Sequence, residues 1–347
     1  MKGRVTSRCT RRTFLRGFGV TGAVGLLNAL AVPAAAEPPP ETTTIRLFQQ
    51  PLACFAPLFV AEPLLLAEGF RRVEYVPVPT RGLPPVGTRH STISVLLNNG
   101  QIDIGALDPP AHLLSLDAGG SAVLLAGLHA GCYKLLGSER VRTVRDLKGK
   151  TVAVPSLGRH AFVASIASYV GLDPRKDIVW ANATAADSMQ LFADGVLDAF
   201  MGFAPEPDEL LTRKIGHVLV DTLTDKPWSE HFCCILAGSR EFVRKHPVAT
   251  KRALRAILKA NEICAADPER AVRSLVARGY ARGQDFALRL MRELPYGRWR
   301  DYDTEATVRF YALRLREADM IRSTPQKILA ESTDWRFINE LKKELKG

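Results

Sequence analysis

The stretch TVAVPSLGRHAFVASIASYVGL, residues 151–172, decides the fold class. Its alternating first part, TVAVPS, predicts a strand, and the apolar positions after it have the spacing of a helix. Similar strand–helix units precede and follow this one along the chain. Strands that alternate with helices of about 10–15 residues are typical of parallel sheets covered by helices. We therefore predict an α/β fold.

The same patterns assign most of the remaining chain. Further strands are predicted at 44–50, 73–78, 102–107, 122–130, 177–182, 197–200 and 217–222. Further helices are predicted at 56–70, 90–101, 111–120, 143–150 and 186–195, and from Ser239 onward the chain is nearly all helical. Pro63 should kink the first of these helices or shift its start, and Ser91 is a suitable N-cap for the second. The segment Asp108-Pro109-Pro110 is predicted to be an exit loop.

The first 36 residues have the pattern of an export signal. Basic residues precede a weakly apolar run that contains several glycines and ends in small residues. Arg11 and Arg12, followed by Phe14 and Leu15, resemble the twin-arginine signal. Cleavage is predicted after Ala36, where Ala34 and Ala36 form the small-x-small pattern of a signal-peptidase site. The alternative is an N-terminal membrane anchor, but the glycines make a poor membrane span.

Charge and cysteine content exclude some classes of function. The net charge is +11, yet part of the basic excess lies in the signal and the remaining charges are mixed. Nucleic-acid binding therefore has little support. Five of the six cysteines follow the signal, an odd number whose spacing predicts no disulfide framework and no metal site. Most should be small buried apolar residues, and one bridge between partners that the sequence does not identify is possible.

Five stretches in series resemble a known family of transport proteins. They are APLFVAEPLLLAEGF (56–70), LLNNGQIDIGAL (96–107), TVRDLKGKTVAVPSLG (143–158), MQLFADGVLDAFMGFAPEPDEL (189–210) and REFVRKHPVATKRALRAILKANE (240–262). In order and spacing the chain is similar to the substrate-binding proteins of ABC importers, in the nitrate, sulfonate, taurine and thiamine-precursor group. The series is specific for the superfamily and not for a ligand.

The resemblance implies a two-lobed, type II periplasmic-binding-protein fold with the ligand cleft between the lobes. Lobe one would contain residues 43–130 and 228–347, and lobe two residues 131–227. The chain would cross between the lobes near LHAGCY (128–133) and near TLTDKPWSEHFCC (222–234). The implied protein is a periplasmic monomer that needs no cofactor. Its partners would be a small solute, the importer's membrane permease and, during export, the twin-arginine translocase.

Ligands of open α/β sheets bind beyond the carboxyl ends of the strands. Applied to the predicted strands and to the two crossings, this rule gives twelve candidate ligand-binding residues: Gln50, Cys54, Asp108, His129, Ser156, Leu157, Gly158, Arg159, His160, Phe203, Glu206 and His231. The loop at 156–160 is the strongest candidate. Gly158 allows a close backbone approach, the helix N-terminus favours anions, and Arg159 suits a carboxylate, sulfonate or phosphate.

Each candidate also has a purely structural interpretation. Arg159 could point to solvent from an ordinary capped helix, Asp108 could be a turn residue, and Glu206 could be a solvated acid. The two histidines near the crossings could be structural. If Asp108 and Glu206 both face the cleft, they would repel a simple anion, and a heterocycle or zwitterion would fit better. The aromatic residues near these loops, which could stack on a flat ligand or belong to the core, are Phe55, Tyr133, Trp228 and Phe232.

Three functions are compatible with these patterns. The first is a binding protein without catalytic activity, which closes its lobes around a solute. The second is an enzyme on the same fold that resembles the fungal thiamine-pyrimidine synthase, of whose cysteine-rich stretch HFCC (231–234) is a faint echo. The third is a periplasmic sensor partner. No Gly-x-Ser-x-Gly, Walker or His-Glu-x-x-His motif supports catalysis.

Overall fold

The computed structural model describes residues 37–50, 52–78, 89–281 and 283–345. The export-signal residues Arg11, Arg12, Phe14, Leu15, Ala34 and Ala36 lie outside the described residues. Within them the chain forms these strands: β1 Thr44–Gln49, β2 Arg72–Pro77, β3 Ile104–Leu107, β4 Val123–Ala130, β5 Tyr133–Gly137, β6 Lys150–Ala153, β7 Ile178–Ala181, β8 Ala199–Phe203, β9 His217–Asp221 and β10 Phe232–Gly238.

Helices connect and cover the strands. They are α1 Ala56–Val60, α2 Glu62–Ala67, α3 Thr92–Asn98, α4 Pro109–Asp117, α5 Leu157–Tyr169, α6 Ala185–Ala193, α7 Glu206–Thr212, α8 Arg240–Lys245, α9 Pro247–Ala266, α10 Pro268–Ala277, α11 Gln284–Glu293, α12 Thr304–Glu317, α13 Pro325–Ser332 and α14 Arg336–Glu344. Short 3-10 helices lie at Ala53–Phe55, Val144–Leu147, Trp228–Glu230 and Tyr296–Arg298. The predicted α/β class is confirmed.

The strands form two sheets of five strands each in the described part of the chain. The first has the order β2-β1-β3-β10-β4, and the second has the order β7-β6-β8-β5-β9. In each sheet three adjacent strands are parallel, and a fourth strand runs antiparallel between its two neighbours: β10 in the first sheet and β5 in the second. The chain passes from the first sheet to the second between β4 and β5, and it returns between β9 and β10.

Burial explains why β4 and β10 hold the first sheet together. All eight residues of β4 and all seven residues of β10 are buried. Strands covered on both faces are apolar along their whole length rather than alternating. One large apolar cluster extends from β1 through these strands to α5 of the second half, where α5 packs against α12 and α4. A smaller cluster lies in the second half and includes Phe192 and Phe200.

Several local predictions are confirmed and others are wrong. The Ser91 side chain caps α3 by accepting a hydrogen bond from the Ser94 amide. The predicted helix over 56–70 is divided at Ala61 into α1 and α2, just before Pro63. The predicted exit loop at Asp108-Pro109-Pro110 is wrong, because α4 begins at Pro109. Proline is well suited to the first turn of a helix, because N–H groups in that turn have no intrahelical acceptor and proline, which has no N–H, therefore loses no hydrogen bond.

Candidate functional site

Asp108 lies at the carboxyl end of β3 and caps α4. One carboxylate oxygen accepts a hydrogen bond from the Ala111 amide at 2.9 Å. The side chain is buried, and this burial raises the pKa of Asp108 to about 6, although the hydrogen bond from the Ala111 amide and the nearby Tyr133 hydroxyl oppose the shift. Asp108 is therefore a capping residue that uses one of its two carboxylate oxygens for α4.

Gly158 brings the second half of the molecule against Asp108. Gly158 is the second residue of α5, which the Ser156 side chain caps by accepting a hydrogen bond from the Arg159 amide at 3.3 Å. A Cβ atom placed on Gly158 would lie 2.3 Å from Asp108 Oδ2. Only a glycine allows the backbone of α5 to approach this carboxylate so closely. The predicted close approach at Gly158 therefore exists, and the group it meets is a protein carboxylate.

Arg159 and Glu206 form a buried ion pair beside this contact. The guanidinium donates to both carboxylate oxygens of Glu206, at 2.7 and 3.0 Å, and lies 4.3 Å from the centre of the Phe203 ring. Arg159 is 4% exposed, so it does not point to solvent. Glu206 is the first residue of α7 and is mostly buried, so it is not a solvated acid. The two charges neutralise each other.

One donor of Arg159 remains without a partner. Its Nε atom is buried and makes no hydrogen bond within the described residues. A buried polar group normally has a hydrogen-bond partner, and each exception calls for an explanation. An acceptor supplied by a bound molecule would satisfy this donor.

Tyr133, the first residue of β5, forms the aromatic side of the site. Its ring lies 4.7 Å from the Phe162 ring and 5.9 Å from the Phe203 ring. Its side chain lies near enough to Asp108 to influence the pKa of that carboxyl group, and burial raises the pKa of Tyr133 well above its usual range. The sequence indicated only that this ring could stack on a ligand. Its link to Asp108 depends on β5, a strand that the patterns did not predict.

The other predicted ligand-binding residues have surroundings of their own. Gln50 and Leu157 are half-buried at the end of β1 and the start of α5. His160 packs edge-on against Trp180, with 4.4 Å between ring centres, and burial lowers the pKa of His160 to about 4. His231 stacks on Phe310 at 4.1 Å, where burial lowers its pKa. These contacts are those of packed side chains, and the ligand-binding roles stay predictions.

Cys54 and His129 belong to a separate group near the crossings. His129 is fully buried, and its Nδ1 lies 3.2 Å from the Ala130 carbonyl oxygen. The Cys54 thiol lies near the Cys234 thiol and near His129. The Cys234 thiol and burial raise the Cys54 pKa well above its usual range, and His129 opposes the shift. The sulfur atoms of Cys132, Cys233 and Cys234 lie within 4.8 Å of one another. The spacing of the cysteines gave no sign of this cluster, except for the doublet beside the second crossing.

Asp108 should make stability depend on pH. Its folded-state pKa of about 6 lies above the usual 3.8, so between these values the folded protein binds a proton that the unfolded chain does not. Stability should rise as pH falls through this range, and a penalty of about 3 kcal/mol should be fully present above it. Asp108→Asn, which keeps a capping side chain, should remove this dependence. Urea denaturation of both proteins from pH 4 to 8 measures the difference, and parallel curves would contradict the assignment.

Comparison with known proteins identifies the family. The sequence profile of the NMT1-like family matches residues 88–278, more than half of the chain. The chain belongs to the NMT1-like family. A bicarbonate-binding protein, CmpA of Synechococcus elongatus, is 30% identical to this NMT1-like chain over 109 residues. That match covers 31% of the chain and 24% of CmpA, so the chain spans about a quarter of the curated relative.

Solved structures show the fold of this NMT1-like protein. The alkanesulfonate-binding protein SsuA of Xanthomonas axonopodis, bound to MOPS, has a TM-score of 0.64 at 18% identity, covering 87% of this chain and 100% of SsuA. The periplasmic nitrate-binding protein NrtA of Synechocystis has a TM-score of 0.69 at 17% identity, covering 88% of this chain and 90% of NrtA. The predicted two-lobed α/β fold is confirmed. The exact lobe boundaries, 43–130 with 228–347 and 131–227, stay a prediction.

Among the described residues, no helix is both long and apolar enough to cross a membrane. This finding concerns the described residues and does not test the predicted signal.

Proposed function

We propose that this protein is the periplasmic solute-binding component of an ABC importer, which closes two lobes around a small solute without altering it and delivers it to a membrane permease. The observation that carries the proposal is the meeting of Asp108 from the first half with Gly158 and Arg159 from the second. A binding protein that closes two lobes around one solute needs polar groups from both lobes at the site. The bicarbonate-, nitrate- and sulfonate-binding relatives support this role.

The charges of the site favour a particular class of solute. Glu206 already occupies two donors of Arg159, and Asp108 adds a second carboxyl group. A simple oxyanion would have to displace Glu206 and would meet unfavourable charge, because like charges in a buried site repel strongly. A heterocycle or zwitterion could instead donate to Asp108 and accept from the free Nε–H of Arg159. We therefore propose a solute that carries a donor and an acceptor.

A thermal-shift panel on the exported form tests both levels of the proposal. A ligand at about one hundred times its dissociation constant stabilises the native state by about 2.7 kcal/mol, which raises the melting temperature by several degrees. We expect this shift with a pyrimidine or an aminosulfonate, and no shift with nitrate, bicarbonate or methanesulfonate. A shift produced only by the oxyanions would overturn the solute class and leave the binding function intact. No shift with any compound, together with turnover of one of them, would overturn the binding function.

Arg159→Met should abolish the shift of the compound that binds. The substitution keeps an unbranched chain of similar length and removes every donor of the guanidinium. Arg298→Met is the matched control, because Arg298 is exposed and pairs with Asp301 at the surface. Isothermal titration should show at least a tenfold loss of affinity for Arg159→Met and no change for Arg298→Met. Equal affinities in both variants would exclude Arg159 from the site.

A further inference from the structure

Four cysteines gather where the two halves of the chain are joined. Cys132 lies between β4 and β5, on the first connection between the sheets, and Cys233 and Cys234 lie at the start of β10, just after the second connection. Cys54 lies near this group, where it and the Cys234 thiol influence each other's pKa. Cys264 is buried in α9, and this burial raises the pKa of its thiol.

The shape of β10 explains how both members of the doublet reach Cys132. Successive side chains of a regular strand point to opposite faces of the sheet. The pairing of β10 with β4 shifts register between Phe232 and Cys234 and again between Cys234 and Ile235. Such irregularities re-aim side chains locally. Both thiols of the doublet therefore lie near Cys132.

Within this group the pair Cys132 and Cys233 is distinguished by its separation. Their sulfur atoms are 2.6 Å apart. Non-bonded heavy atoms in good contact are about 3.5–4.0 Å apart, so these two sulfurs are already closer than packed thiols. A tetrahedral zinc ion with bonds of about 2.3 Å would hold its sulfur ligands about 3.8 Å apart, so it would have to separate them. The geometry therefore favours a covalent pair over a metal site.

We propose that Cys132 and Cys233 form a disulfide bond in the exported protein, which ties the first connection between the sheets to the second. Cys54, Cys234 and Cys264 then remain thiols, which accounts for the odd number of cysteines after residue 36. The proposal depends on export only for an oxidising compartment, where such bonds persist. It is independent of which solute the protein binds.

Thiol–disulfide exchange supplies the chemistry. Cys132 is the half-buried member of the pair and Cys233 is buried, so the oxidant meets Cys132 first. The Cys132 thiolate attacks one sulfur of a disulfide-bearing oxidant, and the other sulfur of the oxidant leaves as a thiolate and takes a proton. The Cys233 thiolate then attacks the Cys132 sulfur of this mixed disulfide and expels the oxidant sulfur bonded to it, which leaves as a thiolate and takes a proton. The two cysteines lose two electrons and two protons, and the disulfide of the oxidant is reduced to two thiols.

The bond would close a loop that contains the whole second sheet. The two cysteines are 101 residues apart, and β5 to β9 all lie between them. A cross-link stabilises mainly by restricting the unfolded chain, and the effect grows with the length of the loop. For a loop and a domain of this size the melting temperature should rise by on the order of 5–10 °C.

The experiment uses the full chain, incubated either with oxidised glutathione or with a reductant. Oxidation should make the protein two hydrogen atoms lighter, and peptide mapping should link the segments that contain Cys132 and Cys233. The oxidised form should melt about 5–10 °C higher than the reduced form. Cys132→Ser and Cys233→Ser should each lose this difference, whereas the matched control Cys234→Ser should keep it.

Three results would overturn the proposal. The first is that all six thiols of the full chain, Cys9 included, stay free after oxidation and unfolding. The second is a bond that joins Cys132 to Cys234 instead of Cys233. The third is a stoichiometric metal ion, found by elemental analysis, that protects the thiols from oxidation. If a serine variant fails to fold, peptide mapping of the unaltered chain still decides between these results and the proposed bond.

Discussion

Glu206→Ala should lower the free energy of unfolding by about 3 kcal/mol, because it leaves the Arg159 guanidinium buried without its counter-charge. Arg159 is 4% exposed and its two terminal nitrogens donate to Glu206. Breaking a buried pair on one side is far more damaging than replacing the whole pair with apolar groups. Urea denaturation near neutral pH measures the loss.

A double-mutant cycle separates this cause from simple loss of packing. Glu206→Ala with Arg159→Met should be more stable than the sum of the two single changes predicts, since neither charge is then left unpaired. The exposed pair Arg298–Asp301 provides the matched control, and Asp301→Ala should change stability by no more than about 0.5 kcal/mol. Additive effects at Arg159 and Glu206 would show that the buried pair is not coupled.

The amino-acid sequence predicts most of the architecture because each strand–helix unit carries its own periodicity and caps. Ser91 and the break before Pro63 are local signals, and the structure follows them. The strand β5 was not predicted, because YKLLG (133–137) is short and lacks a clear alternation. Its position between β8 and β9 comes from long-range pairing. The helix α7 was not predicted, because Pro205 and Pro207 are residues that usually interrupt a helix, although proline is tolerated in a first turn.

The candidate site is only partly predictable for the same reason. The rule that places ligands beyond strand ends selects loops that the structure brings together, since Asp108 lies against Gly158 and near Arg159. That a ligand binds there stays a prediction. The rule says nothing of which side chains will neutralise one another. Arg159 and Glu206 are 47 residues apart, and their pairing depends on the parallel order of β6 and β8. Arg159, which the sequence predicts as a donor to an anionic ligand, is therefore already paired with the carboxylate of Glu206.

Gly158→Ala should destabilise the protein by about 2 kcal/mol, although alanine is the better helix former. The added Cβ would lie 2.3 Å from Asp108 Oδ2 and 2.9 Å from its Cγ. The carboxylate cannot easily move, because its other oxygen caps α4 through the Ala111 amide. Either the cap or the contact between α4 and α5 has to give way. A stability gain of about 1 kcal/mol, as helix propensity alone would produce, would contradict the contact.

The same substitution should also weaken solute binding, since it acts on the place where the two halves meet. Gly158 follows β6 of the second sheet and Asp108 follows β3 of the first, so an added methyl group holds these two strand ends apart. Asp108→Ser shortens the opposing side chain while keeping a capping hydroxyl. Combined with Gly158→Ala, it should restore much of the lost stability, whereas Asp301→Ser, far from the contact in sequence and exposed, should restore none. If Asp108→Ser restores the stability of Gly158→Ala and Asp301→Ser does not, the loss comes from the steric contact between residues 108 and 158. That contact, and not a change within α5, would then limit how closely the two halves can approach each other.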